Sequence, residues 1–173
     1  MQLERSAAWA AALAIATVGG SLAAACLMPF VALAAMTAST LPRREGLTTI
    51  LVAWAANQAI GFTLLDYPLD GATLGWGLAI GVAALAAFAA IRTVATRAPG
   101  LLALLGASAL GFVAYELVLY AYGLSGGGTG AFTPAIVALL AKNEALWLAG
   151  LLVVREAVRR FAPGWAPTPR AAA

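Results

Sequence analysis

Residues 7–41 read AAWAAALAIATVGGSLAAACLMPFVALAAMTASTL, an apolar run that contains no charged side chain. As one straight helix the run would be about 50 Å long, whereas the hydrocarbon core of a bilayer is about 30 Å thick. It therefore exceeds one membrane span. We expect two shorter helices that separate near Gly19-Gly20-Ser21, and one kinked helix is the alternative.

The rest of the chain has the composition of a membrane protein. Of its 173 residues, 63% are hydrophobic and 10% are charged, whereas a soluble domain is close to half apolar and a quarter charged. One soluble core of this size could not bury so much apolar surface, which excludes an ordinary cytosolic enzyme and a disordered chain. Because Cys26 is the only cysteine, a disulfide scaffold is excluded as well. Apolar sequence continues beyond Cys26, so the first segment is expected to be retained in the membrane and not cleaved as a signal peptide.

Further apolar segments follow the first run, and short polar connections separate them. The expected spans are residues 47–65, 72–95, 101–122 and 132–161. None of them alternates with a period of two, which makes a β-barrel an unsuitable fold. The predicted fold class is all-α: a polytopic membrane protein with six (alternatively five) transmembrane helices in one bundle. Residues 1–162 would form this single domain, and residues 163–173 a cytoplasmic tail.

The arginines predict how the chain is oriented in the bilayer. They occur in alternate connections and in the C-terminal region, whereas connections 66–70 and 123–130 contain no basic residue. Basic residues accumulate on the cytoplasmic side of membrane proteins. We therefore expect a multi-pass protein of the bacterial cell (inner) membrane with a cytoplasmic C-terminus. The net charge of +3 comes from residues at helix ends, so the lipid bilayer is the expected partner and nucleic acid is not.

Polar side chains within the expected spans are the main functional signal. Placing an ionisable group at the bilayer centre costs about 2.5–3.5 kcal/mol, so such groups usually face a partner or a cavity. At a rise of 1.5 Å per residue, these side chains lie about 9–18 Å from the outer helix ends. Their shared depth predicts a polar chamber that opens to the outside; hydrogen bonding between packed helices is the alternative. The residues are Asn57, Gln58, Glu116, Lys142, Asn143 and Glu144.

Helical geometry shows that these polar side chains cannot all face the same pocket. Lys142 and Glu144 are about 200° apart around their helix, so they cannot both face one pocket. Glu116 is the available opposite charge for Lys142, and the neighbouring Tyr115 could donate a hydrogen bond. Tryptophans one turn from the polar residues would add apolar walls. The predicted substrate-binding residues are Asn57, Gln58, Glu116, Lys142, Asn143, Trp54, Tyr115 and Trp147.

No catalytic, metal-binding or cofactor-binding motif occurs in the sequence. The chain has no histidine, which removes the commonest transition-metal ligand and the usual proton shuttle. Gly126-Gly127-Gly128 has neither the lysine nor the preceding strand of a phosphate-binding loop. We therefore predict that the protein is not an enzyme and holds no metal ion or cofactor.

Small residues at a spacing of four occupy the first helix, at Ala8, Ala12 and Ala16. Such rows allow two membrane helices to approach closely. Together with the chain length, the six expected spans and the polar cluster near the outside, this row resembles the substrate-binding S components of energy-coupling-factor vitamin transporters.

The resemblance implies that the protein binds a small organic solute, a vitamin-like nutrient, in an outward-facing polar pocket for uptake. It also implies that Ala8, Ala12 and Ala16 dock on a transmembrane coupling subunit that works with ATPases. Two alternatives stay open. The chain could be a non-catalytic subunit of a larger membrane complex, or a small ion or solute channel or exporter.

Overall fold

The computed structural model describes residues 2–23, 28–98 and 100–162, and within these ranges the protein is helical and contains no strand. This confirms the predicted all-α class. Cys26 and the predicted tail 163–173 lie outside the described residues. The helices are α1 (Gln2–Ala23), α2 (Phe30–Thr40), α3 (Arg43–Leu64), α4 (Gly71–Ala95), α5 (Leu101–Gly126) and α6 (Pro134–Phe161), and a 3₁₀ turn at Thr129–Ala131 joins the last two.

Four of these helices, α3 to α6, are long and apolar enough to cross a membrane. This finding agrees with a multi-pass membrane protein. The short helix α2 differs from them because its 11 residues reach only about 16 Å, or half of a bilayer core of about 30 Å. The predicted number of six spans and the cytoplasmic side of the C-terminus stay predictions.

The first apolar run forms two helices, but the expected position of the break is wrong. Helix α1 continues through Gly19-Gly20-Ser21 and ends at Ala23. Gly20 serves packing, because a Cβ atom at this position would overlap the indole ring of Trp147 on α6. A glycine inside a helix costs about 1 kcal/mol relative to alanine, and here its small size allows α1 and α6 to meet.

Helix α2 is the centre of the bundle. Its first nine residues, Phe30 to Ala38, are all buried, and it packs against each of the other five helices. A helix that is apolar on every side is stable only when it is surrounded by other elements. The hydroxyl of Thr37, the one polar side chain in this stretch, donates to the carbonyl oxygen of Leu33 at 2.8 Å. The polar group is therefore satisfied within the helix itself.

Helices α4 and α5 run in opposite directions beside this centre. Towards one end of the α4–α5 pair, Gly111 lies against the side chain of Ile91. Towards the other end, the rings of Trp76 and Tyr122 meet edge to face, with their centroids 4.9 Å apart. The arrangement places the end of α5 beside the start of α4, so α6 begins at the same end of the bundle.

Candidate functional site

Charged side chains from two other helices cap both ends of α2. At its start, the carboxylate of Glu144 on α6 accepts hydrogen bonds from the backbone N–H groups of Val31 (3.3 Å) and Ala32 (2.8 Å). At its end, Nη1 of Arg92 on α4 donates to the carbonyl oxygens of Ala38 (3.3 Å) and Leu41 (3.0 Å). A helix carries about half a positive charge at its start and half a negative charge at its end. Each cap therefore has the sign that stabilises its end.

The cap at the start of α2 is needed because the local sequence provides none. The residue before the helix is Pro29, and no side chain from this position accepts a hydrogen bond from the first turn. The first N–H groups of a helix have no partner within it, and inside a bilayer no water replaces the missing acceptor. Glu144 supplies that acceptor from a distant part of the chain.

Glu144 belongs to the polar residues expected within the spans but not to the predicted substrate-binding set. A signal was present: a proline within an apolar run marks a helix start, whose free N–H groups attract an acceptor. Pro29 is such a residue, and Glu144 is an acid at mid-span. The pairing itself depends on the tertiary arrangement, which periodicity alone does not determine.

A second acidic residue, Glu116 on α5, lies beside this cap. Both of its carboxylate oxygens are buried, and neither has a hydrogen-bond partner in the described part of the chain. Glu45 in the first turn of α3 has one such oxygen, Oε2. Glu116 precedes the end of α5 at Gly126 by ten residues, and Glu144 follows the start of α6 at Pro134 by ten. Both carboxylates are thus about 15 Å from the same end of the bundle.

The two carboxylates and the neighbouring tyrosine form one group. Glu144 binds the first turn of α2, Tyr115 contacts the same turn, and Glu116 follows Tyr115 on α5. The ring of Tyr115 also stacks on Phe30 in the first turn of α2, with centroids 6.5 Å apart and an angle of 27° between the planes. We call Tyr115, Glu116, Glu144 and the first turn of α2 (residues 30–32) the central acidic site.

The predicted ion pair between Lys142 and Glu116 is wrong. Lys142 is exposed on α6, and no described side chain donates a hydrogen bond to the carboxylate of Glu116. The reason is the rotation of α6 about its axis. Because Glu144 turns inward to cap α2, the offset of about 200° between the two positions sends Lys142 to the outer surface.

Two of the predicted binding residues, Trp54 and Gln58, lie at the interface between α3 and α4. Trp54 donates from Nε1 to the carbonyl oxygen of Gly77 at 2.8 Å, and its ring fills the space beside Gly81. The side-chain oxygen of Gln58 lies against Gly77 as well. For this pair, the arrangement corresponds to the interhelical packing that was the alternative to a chamber. Asn57, the residue between them in the helical stripe, is half-buried.

The remaining predicted residues are on α6, where Asn143 is half-buried and Trp147 packs over Gly20 of α1. The structure thus brings Tyr115 and Glu116 together with Glu144. It places the tryptophans at two different helix contacts. The predicted role of the full set in one solute chamber stays a prediction.

The row of alanines on α1 faces away from the bundle. Ala12 and Ala16 are exposed and Ala8 is half-buried. The neighbouring side of α1 is held inside, where Trp9 is buried and donates from Nε1 to the hydroxyl of Thr40 at 3.0 Å. This places the row at the surface of the bundle, the position that docking requires. Its binding to a partner stays a prediction.

No group of three or more histidine, cysteine, aspartate or glutamate side chains that could hold a metal ion occurs in residues 2–23, 28–98 and 100–162.

Comparisons with known protein families, with curated proteins and with solved structures found no match for this chain.

Proposed function

We propose that the protein binds a small organic solute, a vitamin-like nutrient, within its helical bundle for uptake across the membrane. The central acidic site is the binding centre of this proposal. The observation that carries it is the carboxylate of Glu116, which is buried without a hydrogen-bond partner among the described residues.

A purely structural role explains Glu144 but not Glu116. Glu144 satisfies two backbone N–H groups of α2, so the fold itself accounts for a carboxylate at this position. Glu116 contributes no hydrogen bond to the packing of the described helices, and a second nearby carboxylate is unfavourable because like charges repel. Ionisable groups kept at this depth of a membrane usually face a substrate or ion pathway. A bound solute would supply the donors that Glu116 lacks.

The other polar residues of the predicted set extend the proposed site. Asn57 and Asn143 are half-buried and lie about 10–14 Å from the same end of the bundle, close to the level of Glu116. Amide side chains can donate and accept hydrogen bonds, which suits the mixed polar groups of a vitamin-like molecule. They provide specificity in this proposal, and Glu116 provides the main polar contact.

Thermal unfolding of the purified protein, in detergent or lipid nanodiscs, tests this function. A ligand that binds only the folded state at a concentration of 100 times its Kd stabilises it by about 2.7 kcal/mol. We expect at least one member of a broad panel of vitamins and related metabolites to raise the Tm, and Glu116→Gln to abolish the shift. Glu156→Gln is the matched control, since this half-buried residue near the end of α6 pairs with Arg159 and Arg160. A panel without any Tm shift would contradict the proposal.

A second candidate function is favoured by Lys142. This residue is exposed eight residues after the start of α6 at Pro134, or about 12 Å into the span. A cation on a lipid-facing surface is costly at such depth. The nearby positions Ala138, Ala145 and Ala149 are exposed as well, and small residues favour close helix contacts. We propose that this face binds a partner helix with a carboxylate opposite Lys142, which makes the chain a non-catalytic subunit of a larger membrane complex.

Affinity purification from native membranes in a mild detergent tests this candidate. A partner at fixed stoichiometry is expected with the wild-type chain, and Lys142→Glu should release it. Arg97→Glu is the control, because Arg97 is exposed in the connection between α4 and α5. A membrane subunit that presents a carboxylate opposite Lys142 is the expected partner. Purification of the chain without any stoichiometric partner would contradict this candidate.

A further inference from the structure

We propose that the solute held at the central acidic site carries a cationic nitrogen whose N–H groups donate to both carboxylate oxygens of Glu116. The inference rests on the proposed solute-binding function and names the chemical class of its ligand. It is argued from the charges around Glu116, from the hydrogen bonds its oxygens lack, and from the aromatic rings beside it.

When Glu116 is ionised, the charges at the site do not balance without a ligand. Glu144 is compensated by the start of α2, because its carboxylate accepts from two N–H groups at the positive end of the helix. Arg92 binds the opposite end of α2, about 16 Å away at the length of this helix. No described cation pairs with Glu116. One negative charge therefore remains for a ligand to neutralise.

The hydrogen bonds that Glu116 lacks narrow the choice of ligand further. Both oxygens lack a donor, and an amidinium or guanidinium group matches this geometry because it offers two parallel N–H bonds to one carboxylate. A neutral hydroxyl could satisfy only one oxygen and would leave the charge uncompensated. A proton alone would neutralise the charge but would still leave one oxygen without a donor.

Aromatic rings complete the site. Tyr115 is adjacent to Glu116 in the sequence, and its ring stacks on that of Phe30. The faces of aromatic rings attract cations and stack on planar groups. A flat ring bearing a cationic nitrogen could therefore lie against Tyr115 while its N–H groups reach Glu116. Phe30 is 1% exposed, so it supports the ring of Tyr115 and does not itself contact the ligand.

Benzamidinium and benzamide are suitable probes because they have nearly the same shape. Benzamidinium carries a positive charge and has a second NH₂ donor group where benzamide has a carbonyl oxygen. Titration of the wild-type protein in nanodiscs, followed by calorimetry or by Tm, should show binding of benzamidinium and at least about tenfold weaker binding of benzamide. Glu116→Gln should remove that preference, whereas Glu116→Asp should keep part of it because the charge remains. Glu156→Gln should bind like the wild type.

Other outcomes separate this inference from the function on which it rests. Equal binding of benzamide and benzamidinium by the wild-type protein overturns the cationic ligand and leaves solute binding intact, and this comparison needs no variant to fold. A metabolite ligand that has no cationic nitrogen overturns it in the same way. If neither probe binds, and acidification stabilises the wild type but not Glu116→Gln, the occupant is a proton and the inference is wrong. The proposed function itself falls only if the metabolite panel also fails.

Discussion

Glu144 and Arg92 stand at opposite ends of the same buried helix, and each binds backbone groups that α2 cannot satisfy itself. Glu144 accepts from the first turn, and Arg92 donates to carbonyl oxygens at the end. An 11-residue helix in the middle of a membrane protein has few other means of pairing these groups. The two side chains therefore fix the short helix around which the other helices pack.

Replacing Glu144 should destabilise the bundle. In Glu144→Ala the N–H groups of Val31 and Ala32 would be buried without an acceptor, at a cost of about 1–3 kcal/mol for each group. Glu144→Gln keeps one acceptor oxygen and should lose less. Chemical unfolding in mixed micelles measures both changes against the wild type. Equal stability of the alanine variant and the wild type would show that the cap contributes nothing.

Replacing Arg92 should weaken the other end of α2. Arg92→Ala removes the donor to the carbonyl oxygens of Ala38 and Leu41, and also the contact of the guanidinium with the ring of Phe88 at 5.9 Å. A loss of about 1–3 kcal/mol is expected in the same unfolding experiment. Arg92→Lys keeps a cation and should recover part of it. A lysine variant that is less stable than the alanine variant would contradict this role.

The two adjacent glycines of α1 provide an internal control for helix packing. In Gly20→Ala the new methyl group would overlap the ring of Trp147, so we expect a loss of about 1–3 kcal/mol from overpacking. A Cβ atom at Gly19 meets nothing within 4 Å, so Gly19→Ala should be neutral or stabilise the helix by up to about 1 kcal/mol. Thermal unfolding of the two variants distinguishes these effects. The same response from both would contradict the contact between α1 and α6.

Asp70, which lies outside the spans, predicts that the stability of the fold depends on pH. Its carboxylate caps α4 by accepting from the backbone N–H of Thr73 at 2.7 Å, and this hydrogen bond lowers the pKa of Asp70 below its ordinary value of 3.8. A carboxyl group whose pKa is lower in the folded state stabilises the fold above its unfolded pKa and loses this effect as the pH falls through the folded pKa.

The stability of the wild type should therefore decrease as the pH falls below about 4, and Asp70→Asn should lack this part of the change. Melting curves of both proteins between about pH 3 and pH 7 measure the difference. Parallel curves would show that the Asp70 cap has no share in the acid sensitivity.

The sequence predicted the long helices well because their ends carry local signals. The expected span 72–95 agrees with α4 (Gly71–Ala95) to within one residue, since Asp70 and Arg92 mark its two ends. The expected span 101–122 was too short, because α5 continues through Gly123 to Gly126. The sequence predicts a connection over 123–130, whereas Gly123 is buried within α5 and packs against Trp76 and Phe132.

The arrangement of the site was less accessible to sequence reasoning because it depends on how each helix is rotated about its axis. Depth along a helix follows from the rise per residue. The sequence predicts Glu116 at about 9 Å and Glu144 at about 18 Å from the outer helix ends, whereas each lies ten residues, or about 15 Å, from the end of its helix. Which side chain of α6 faces inward follows from contacts with α2, and the sequence does not encode these locally. The expected partner of Glu116 was Lys142 for this reason. The structure instead leaves the carboxylate of Glu116 without a described partner.

The most direct test of the account is a solute-binding isotherm for the wild-type protein and for Glu116→Gln in identical nanodiscs. If the buried carboxylate is the main polar contact of the solute, the wild type should bind a ligand from the metabolite panel with a saturable isotherm. The variant should bind that ligand at least about tenfold more weakly while it keeps its fold. Equal affinities in the two proteins would mean that Glu116 does not contact the solute, and the central claim would be wrong.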